Sequence, residues 1–373
     1  MRIIATAAAG MEAIVAMELR ALGHGEPVVR PGKVEVEGDW EELARLNLWL
    51  RSADRVKVVV GRFPATSFEA LFQGTAALPW AELLTLDASF PVVGRSARSV
   101  LHSVPDCQAI VKKAVVEAMK RRHRGLQWFA EDGPLYRIEV AVHDDVAELT
   151  LDASGEGLHR RGYRRLVSEA PLRETMAAGI LILARWRVDQ EQLVDPFCGS
   201  GTFAIEAAML ARRQAPGLRR RFAAMQWPQV GVPVWRRLQK AAEEQVDRAV
   251  KPDIRALDIA PDMVEAARGN AAAAGVDGLI RFQVADARRW APEAPRGLLV
   301  GNPPYGQRLG DKRAAAEMAR ALGERHRAAG EGWRAFWLSA LPDWETCYGR
   351  TADRRRKLYN AGIAAQLYQY RGL

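Results

Sequence analysis

The chain has 373 residues, 49% of them hydrophobic and 27% charged, with a formal net charge of +9. That length suffices for two or three domains with a sizeable core, and no apolar run approaches the roughly 18 residues of a membrane span. Cys107, Cys198 and Cys347 are isolated, which argues against a disulfide framework or a metal site and suits a reducing cytoplasm; the basic balance is the footprint expected of a nucleic-acid partner.

Met1–Thr6 reads as a strand and lacks the charged region, apolar run and cleavage site of a signal peptide. Residues 1 to about 60 then read strand, helix, strand, helix. Gly10-Met11-Glu12 opens a helix with Ile14, Val15, Met17 and Leu19 on its apolar side, and Gly23 and Gly25 end it. Lys33–Glu37 alternates like a half-buried strand, and Trp40–Leu50 is helical again.

Between about 61 and 153, Val92-Val93-Gly94 ends a strand, and Pro105-Asp106 starts a helix with Asp106 as its cap. Arg95, Arg98, Lys112, Lys113, Lys120, Arg121, Arg122 and Arg124 form a basic cluster. Two readings stand: a solvated helix end whose cations suit the macrodipole, or contact with RNA phosphates. Tyr136–Val142 and Ala147–Leu151 read as a closing hairpin around His143-Asp144-Asp145.

Residues 154–168 are a linker rich in Gly and Arg, in which Arg160, Arg161, Arg164 and Arg165 surround Tyr163. Such a mixture can clamp phosphates and stack on a base; equally, it can anchor two domains by ion pairs. Ser168 or Glu169 is expected to cap a helix running through Glu174 to Trp186.

Glu191–Thr202 reads as a strand entering a glycine loop, followed by a helix from Phe203. Gly199-Ser200-Gly201 lets backbone approach a ligand, and Ala204 fills the third position of the dinucleotide pattern. Asp195 precedes the loop, where a carboxylate would repel a pyrophosphate but suit an ammonium group. That favours S-adenosylmethionine over NAD. Residues 212–252 then interrupt the usual spacing, with Trp227 and Trp235 among arginines. They suit either an RNA grip or, better, packing under a helical extension.

Two further strands close on Asp258, placed for ribose hydroxyls, and Asp286, placed for an adenine amine. Each alone reads as a helix N-cap. Three acids at successive strand ends read as a ligand site at the carboxyl edge of an open sheet.

Gly297–Gly301 leads into Asn302-Pro303-Pro304-Tyr305. The prolines fix φ and cannot donate, and the residue before each is held extended. The Asn302 side-chain oxygen and the Pro303 carbonyl are then acceptors for an exocyclic amine, with Tyr305 to stack on its ring; an ordinary strand-ending turn is the plainer reading. Near the C-terminus, Arg354-Arg355-Arg356-Lys357 reads as one strand of a final hairpin with a basic edge.

Three stretches carry a family resemblance: Leu158-His159-Arg160-Arg161-Gly162-Tyr163-Arg164, Ala170-Pro171-Leu172-Arg173-Glu174-Thr175 and Asn302-Pro303-Pro304-Tyr305-Gly306-Gln307-Arg308-Leu309-Gly310. With the glycine loop, they resemble bacterial THUMP-containing RNA guanine-N2 methyltransferases of the Asn-Pro-Pro-Tyr group, the 23S rRNA members especially. Gln307 departs from the Glu expected in many relatives.

The resemblance implies an α/β fold: a ferredoxin-like element (1–60), a THUMP RNA-binding domain (61–153), the linker, and a Rossmann-like class I methyltransferase domain (169–373). It implies S-adenosylmethionine held by Asp195, Pro196, Phe197, Gly199, Gly201, Thr202, Asp258, Asp286, Ala287 and Asn302, with Leu172 and Glu174 on the pocket floor. Asn302, Pro303, Pro304 and Tyr305 would be catalytic. Arg95, Arg98, Lys112, Lys113, Arg160, Arg161, Tyr163 and Arg164 would contact RNA, 23S rRNA first and tRNA second. Enzymes methylating a protein glutamine amide or adenine N6 in DNA, and a non-catalytic RNA-binding assembly factor, are the competing classes.

Overall fold

In a computed structural model, residues 1–123, 128–164, 172–304, 309–360 and 363–372 are described. Two seven-stranded sheets organise them. The first is built from β1 (Arg2–Thr6), β2 (Val28–Arg30), β3 (Lys33–Glu37), β4 (Arg55–Pro64), β5 (Val92–Ala97), β6 (Ile138–His143) and β7 (Val146–Asp152). Their order is β2-β3-β1-β4-β7-β6-β5. Alternation sets the core face: Ile3 and Ala5 lie opposite Val36 and Val34 on one side and Val58 and Val56 on the other. All six are buried.

Helices α1 (Glu12–Ala21), α2 (Trp40–Trp49), α3 (Phe68–Ala76), α4 (Trp80–Leu83) and α5 (Val104–Arg122) accompany this sheet. Gly23, at φ +99°, ends α1, and the Asp39 carboxylate caps α2 by accepting from the Glu42 N–H at 2.8 Å. The expected cap of α5 is displaced. Ser103 holds the N-cap position, and Asp106 lies inside the first turn, where its charge suits the macrodipole.

Strand β4 is shared. Arg55–Val58 pair with β1, and Lys57–Pro64 pair with β7 across an irregularity between Val59 and Gly61. The ferredoxin-like and THUMP-like segments are therefore one hydrogen-bonded sheet.

The second sheet contains β8 (Gln192–Asp195), β9 (Ile254–Asp258), β10 (Ile280–Val284), β11 (Gly297–Gly301), β12 (Trp333–Ser339), β13 (Arg354–Asn360) and β14 (Ile363–Tyr370). The order is β10-β9-β8-β11-β12-β14-β13, with β14 antiparallel to both neighbours. The expected C-terminal hairpin is thus present, with basic β13 at the edge. Helices α6 (Glu174–Ala184), α7 (Thr202–Ala211), α8 (Val232–Glu244), α9 (Pro261–Ala274), α10 (Leu309–Ala329) and α11 (Trp344–Tyr348) connect or flank the strands. The order reverses between β8 and β11, so the carboxyl ends of these strands flank a crevice. Helix α6 starts at Glu174 with Arg173 at its N-cap, later than expected; Ser168 and Glu169 lie outside the described residues.

The arginine-rich insert is joined to the first half through Trp227 and packs on itself through Trp235. Trp227 stacks on Tyr136 with centroids 4.7 Å apart and planes at 7°, and its Nε1–H donates to the Leu135 carbonyl at 2.9 Å. Trp235 stacks on Phe222 at 5.4 Å and donates to the Ala224 carbonyl. Both tryptophans are buried, so they pack and do not meet RNA.

Candidate active site

Asp195 ends β8 and is 1% exposed. Its carboxylate accepts from the Phe197 N–H at 3.1 Å. Burial first, and the neighbouring Asp258 carboxylate as well, push its pKa up to about 8 against that hydrogen bond. Pro196 follows, buried, and Phe197 is half-buried. The Cys198 N–H donates to the Leu257 carbonyl, tying the loop to β9. Burial drives the Cys198 thiol pKa far upward, so this thiol is a packing group and not a nucleophile.

The two loop glycines have different tasks. A Cβ on Gly199, at φ +48°, would meet nothing within 4 Å, so the backbone faces open space there. A Cβ on Gly201, at φ +87°, would lie 3.1 Å from the Ala267 Cβ, so this glycine lets α7 close on α9. The Asp258 carboxylate accepts from Gly199 N–H at 2.9 Å and Ala260 N–H at 3.0 Å, bridging the glycine loop and the start of α9. Asp286 caps a short turn at Ala287–Arg289. It also accepts from the Arg288 guanidinium at 2.6 Å, and that hydrogen bond lowers its pKa. Ala287 is buried beside it.

Asn302 and Pro303 follow β11, half-buried and buried respectively, and Pro304 is exposed; Tyr305 lies outside the described residues. Strand β11 pairs with β8 on one side and β12 on the other, so the turn emerges next to the glycine loop.

Leu172, Glu174 and Thr202 meet through an arginine. The Arg164 Nη2 donates to the Leu172 carbonyl at 2.8 Å and to the Thr202 Oγ1 at 2.7 Å. Its Nε lies 3.5 Å from Glu174. Burial raises the Glu174 pKa, and Arg164 opposes that shift.

Three family models cover the chain: an RlmL ferredoxin-like domain over residues 2–57, a THUMP domain over 65–152, and an RMKL-like methyltransferase domain over 161–369. The chain belongs to the RMKL-like methyltransferase family. It is 43% identical over 369 residues to "Putative RNA methyltransferase YpsC" of Bacillus subtilis, covering 99% of this chain and 95% of that one. A structure described as "SMU.472, a putative methyltransferase complexed with SAH" superposes with a TM-score of 0.94 at 42% identity, covering 100% of this chain and 98% of that one. A Listeria monocytogenes structure described as "a predicted N6-adenine-specific DNA methylase" also gives 0.94 at 43% identity, covering 100% and 96%. The α/β class expected from the sequence therefore holds: a ferredoxin-like and THUMP sheet, then a Rossmann-like methyltransferase sheet.

Within this family member, the linker residues expected to meet RNA divide. Arg161 is buried and donates to the carbonyls of Leu158 at 2.6 Å and Arg51 at 2.5 Å, with Glu206 at 3.4 Å. The buried Tyr163 hydroxyl donates to the same Glu206 oxygen at 3.2 Å. Arg161, Tyr163 and Arg164 thus make these hydrogen bonds inside the protein: Arg161 reaches the ferredoxin-like half through Arg51, while Tyr163 and Arg164 tie the linker to the methyltransferase half. Arg160 remains exposed, paired with Glu156.

On the THUMP domain, Arg95 and Lys113 are exposed. Arg98 is exposed too and is held by Asp144 at 2.8 Å. Lys112 is largely occupied: it sits 3.5 Å over the Phe90 ring and 2.6 Å from Glu131. Arg124 and Arg165 lie outside the described residues. The anchor role of Glu206 was missed, although a lone acid in the apolar run Phe203–Leu210 is a visible signal for a buried partner.

Proposed function

We propose that this chain methylates the exocyclic N2 of a guanine in RNA, with 23S rRNA as the first expected substrate and tRNA as the second. The observation carrying this reading is the rigid acceptor turn Asn302-Pro303 at the end of β11, beside the β8 glycine loop. The residues around that loop fit S-adenosylmethionine. Gly199 faces open space, and three acids stand at or just beyond the ends of adjacent strands. Asp195 would hold the ammonium, Asp258 the ribose hydroxyls and Asp286 the adenine amine. Pro196, Phe197, Thr202, Ala287 and Asn302 would line the remainder, over a floor of Leu172 and Glu174. The SAH bound to SMU.472 supports this assignment.

When bound, S-adenosylmethionine supplies an electrophilic methyl group. The protein must then make a poor nucleophile competent, because the amine lone pair is delocalised into the ring. Accepting both N–H bonds at Asn302 and Pro303 fixes the nitrogen and compensates its developing positive charge, a large effect in a dry site. In-line orientation contributes much of the rest. Tyr305 would stack on the base. A paired guanine must first leave its stack, at a cost of a few kcal/mol; THUMP contacts with RNA phosphates would offset that cost. No general base is needed, since the proton can leave after transfer.

The Listeria relative's description names an adenine N6, which makes the same demands on the turn. The net charge of +9 favours a nucleic acid over a protein substrate, and the THUMP match favours RNA over DNA. The test is transfer from labelled S-adenosylmethionine to total RNA of cells lacking the gene, followed by nucleoside analysis. N2-methylguanosine in large-subunit rRNA is expected; the same nucleoside in tRNA moves the substrate. N6-methyladenosine, or label only in protein, overturns the reading.

A further inference from the structure

Behind the acceptor turn lies a buried aromatic chain that the proposed chemistry does not use. Gly301 is the cross-strand partner of Trp337. A Cβ on Gly301 would lie 2.9 Å from Trp337 Cζ3 and 3.4 Å from Phe197 Cδ2. Trp337 also meets Phe197 edge-on, with centroids 6.3 Å apart. One indole therefore touches both the last residue before Asn302 and the aromatic residue of the cofactor loop.

That indole has a fixed orientation. Its Nε1–H donates to the Tyr348 hydroxyl at 3.1 Å, and Tyr348 is 2.8 Å from His326 Nδ1. His326 Nε2 is 3.0 Å from the Trp333 carbonyl. A carbonyl can only accept, so Nε2 carries the proton, Nδ1 accepts from Tyr348, and the Tyr348 oxygen is left to accept from Trp337. Each proton in the chain has one place. Trp337 and Tyr348 are further wedged by Trp344, and Tyr348 stacks on Tyr370 at 4.4 Å. His326, Trp337, Trp344 and Tyr348 are all buried.

We infer that Trp337 is a positioning residue for methyl transfer: it sets the separation and angle between the acceptor turn and the cofactor loop, and the Tyr348–His326 pair holds it in place. The inference rests on the methyl-transfer reading, but not on which base receives the methyl. Trp337 touches neither substrate; it acts through Gly301 and Phe197.

The test compares Trp337→Phe, Tyr348→Phe, Gly301→Ala and the double variant Gly301→Ala/Trp337→Phe. Misplacement of reacting groups by a fraction of an ångström should lower kcat by about tenfold or more in each single variant. KM for RNA and the Kd for S-adenosylmethionine should stay within about twofold, since the binding groups remain. The double variant should recover part of the loss, because the shorter ring vacates the space that the new methyl needs.

Hydrogen exchange gives a readout without substrate. Amides in 197–201 and 297–302 should exchange faster in Tyr348→Phe, while those of the first sheet should not. Unchanged exchange in both segments, or loss expressed in KM or cofactor Kd with kcat intact, overturns the inference. So does a double variant no better than its worse parent. The kinetics are read on whichever nucleotide the wild-type protein labels, so an error in the guanine assignment leaves this test standing.

Discussion

Replacing Arg164 with alanine separates two roles that the linker sequence allows. Arg164 makes two hydrogen bonds, at 2.8 Å to the Leu172 carbonyl and 2.7 Å to Thr202 Oγ1. It also stands 3.5 Å from Glu174, with side chains 14% and 5% exposed. A hydrogen bond to a charged group contributes about 1.5–3 kcal/mol, and breaking a buried ion pair costs about 3–5 kcal/mol. The terms do not add, because Glu174 can escape the penalty by protonating; burial already raises its pKa. A net loss of about 3 kcal/mol is expected in urea unfolding of Arg164→Ala, with about 1 kcal/mol or more recovered in Arg164→Ala/Glu174→Gln. Cofactor affinity should fall as well, since Thr202 opens α7 and Leu172 precedes α6. RNA binding decides the matter. Each lost phosphate contact flattens the plot of log affinity against log salt by about 0.7–0.9, and Arg164→Ala should leave that slope unchanged. A flattened slope with full stability would refute the anchor assignment.

Asp195 predicts a proton signature. Its folded pKa is pushed up to about 8 from the ordinary aspartate value of 3.8, so its protonated form favours the folded free protein. That stability is complete below the lower value and is lost as pH rises through about 8. An arriving ammonium would ionise it, so cofactor binding at pH 7 should release about one proton, read by calorimetry in buffers of different ionisation enthalpy; Asp195→Asn should release none. Asn302→Ala should lower kcat by about 10²–10³ or more while cofactor and RNA binding persist, and labelled methyl transfer beside two binding titrations checks it. Trp227→Ala removes a buried indole stacked on Tyr136 and should cost about 3–5 kcal/mol by denaturation, without moving the RNA salt slope.

The elements that carry the proposed site were legible where local chemistry alone decides. The strand ends at Asp195 and Asp258, the glycine loop and the turn that starts at Asn302 each announce themselves within about a dozen residues, and the comparisons bear out the fold built on them. The burial of Arg161 and Tyr163 within the linker was not legible. Arg160, Arg161 and Arg164 look alike in a stretch without periodicity, and their fates depend on Glu156, Glu206 and Thr202. Lys112 is similar: a lysine in a basic helix reads as exposed until Phe90 and Glu131 are brought beside it. The starts of α5 and α6 slipped for a different reason. Asp106 and Ser168 are good capping residues, but α5 and α6 start at Val104 and Glu174. The shared strand β4 was invisible, since its pairing with β7 joins Pro64 to Val146, far apart along the chain.

That shared strand makes the protein a fixed caliper. The THUMP half cannot swing relative to the ferredoxin-like half without breaking the ladder through β4. The ferredoxin-like half is pinned in turn to the methyltransferase sheet by the Arg161 bond to the Arg51 carbonyl and by Met11 lodged against Gly179. The distance from the first sheet to the acceptor turn is therefore set by the fold. For the RNA substrate proposed above, the modified base would then have to lie one caliper's width from the feature that the THUMP domain grips, so that span would select among RNAs alongside sequence.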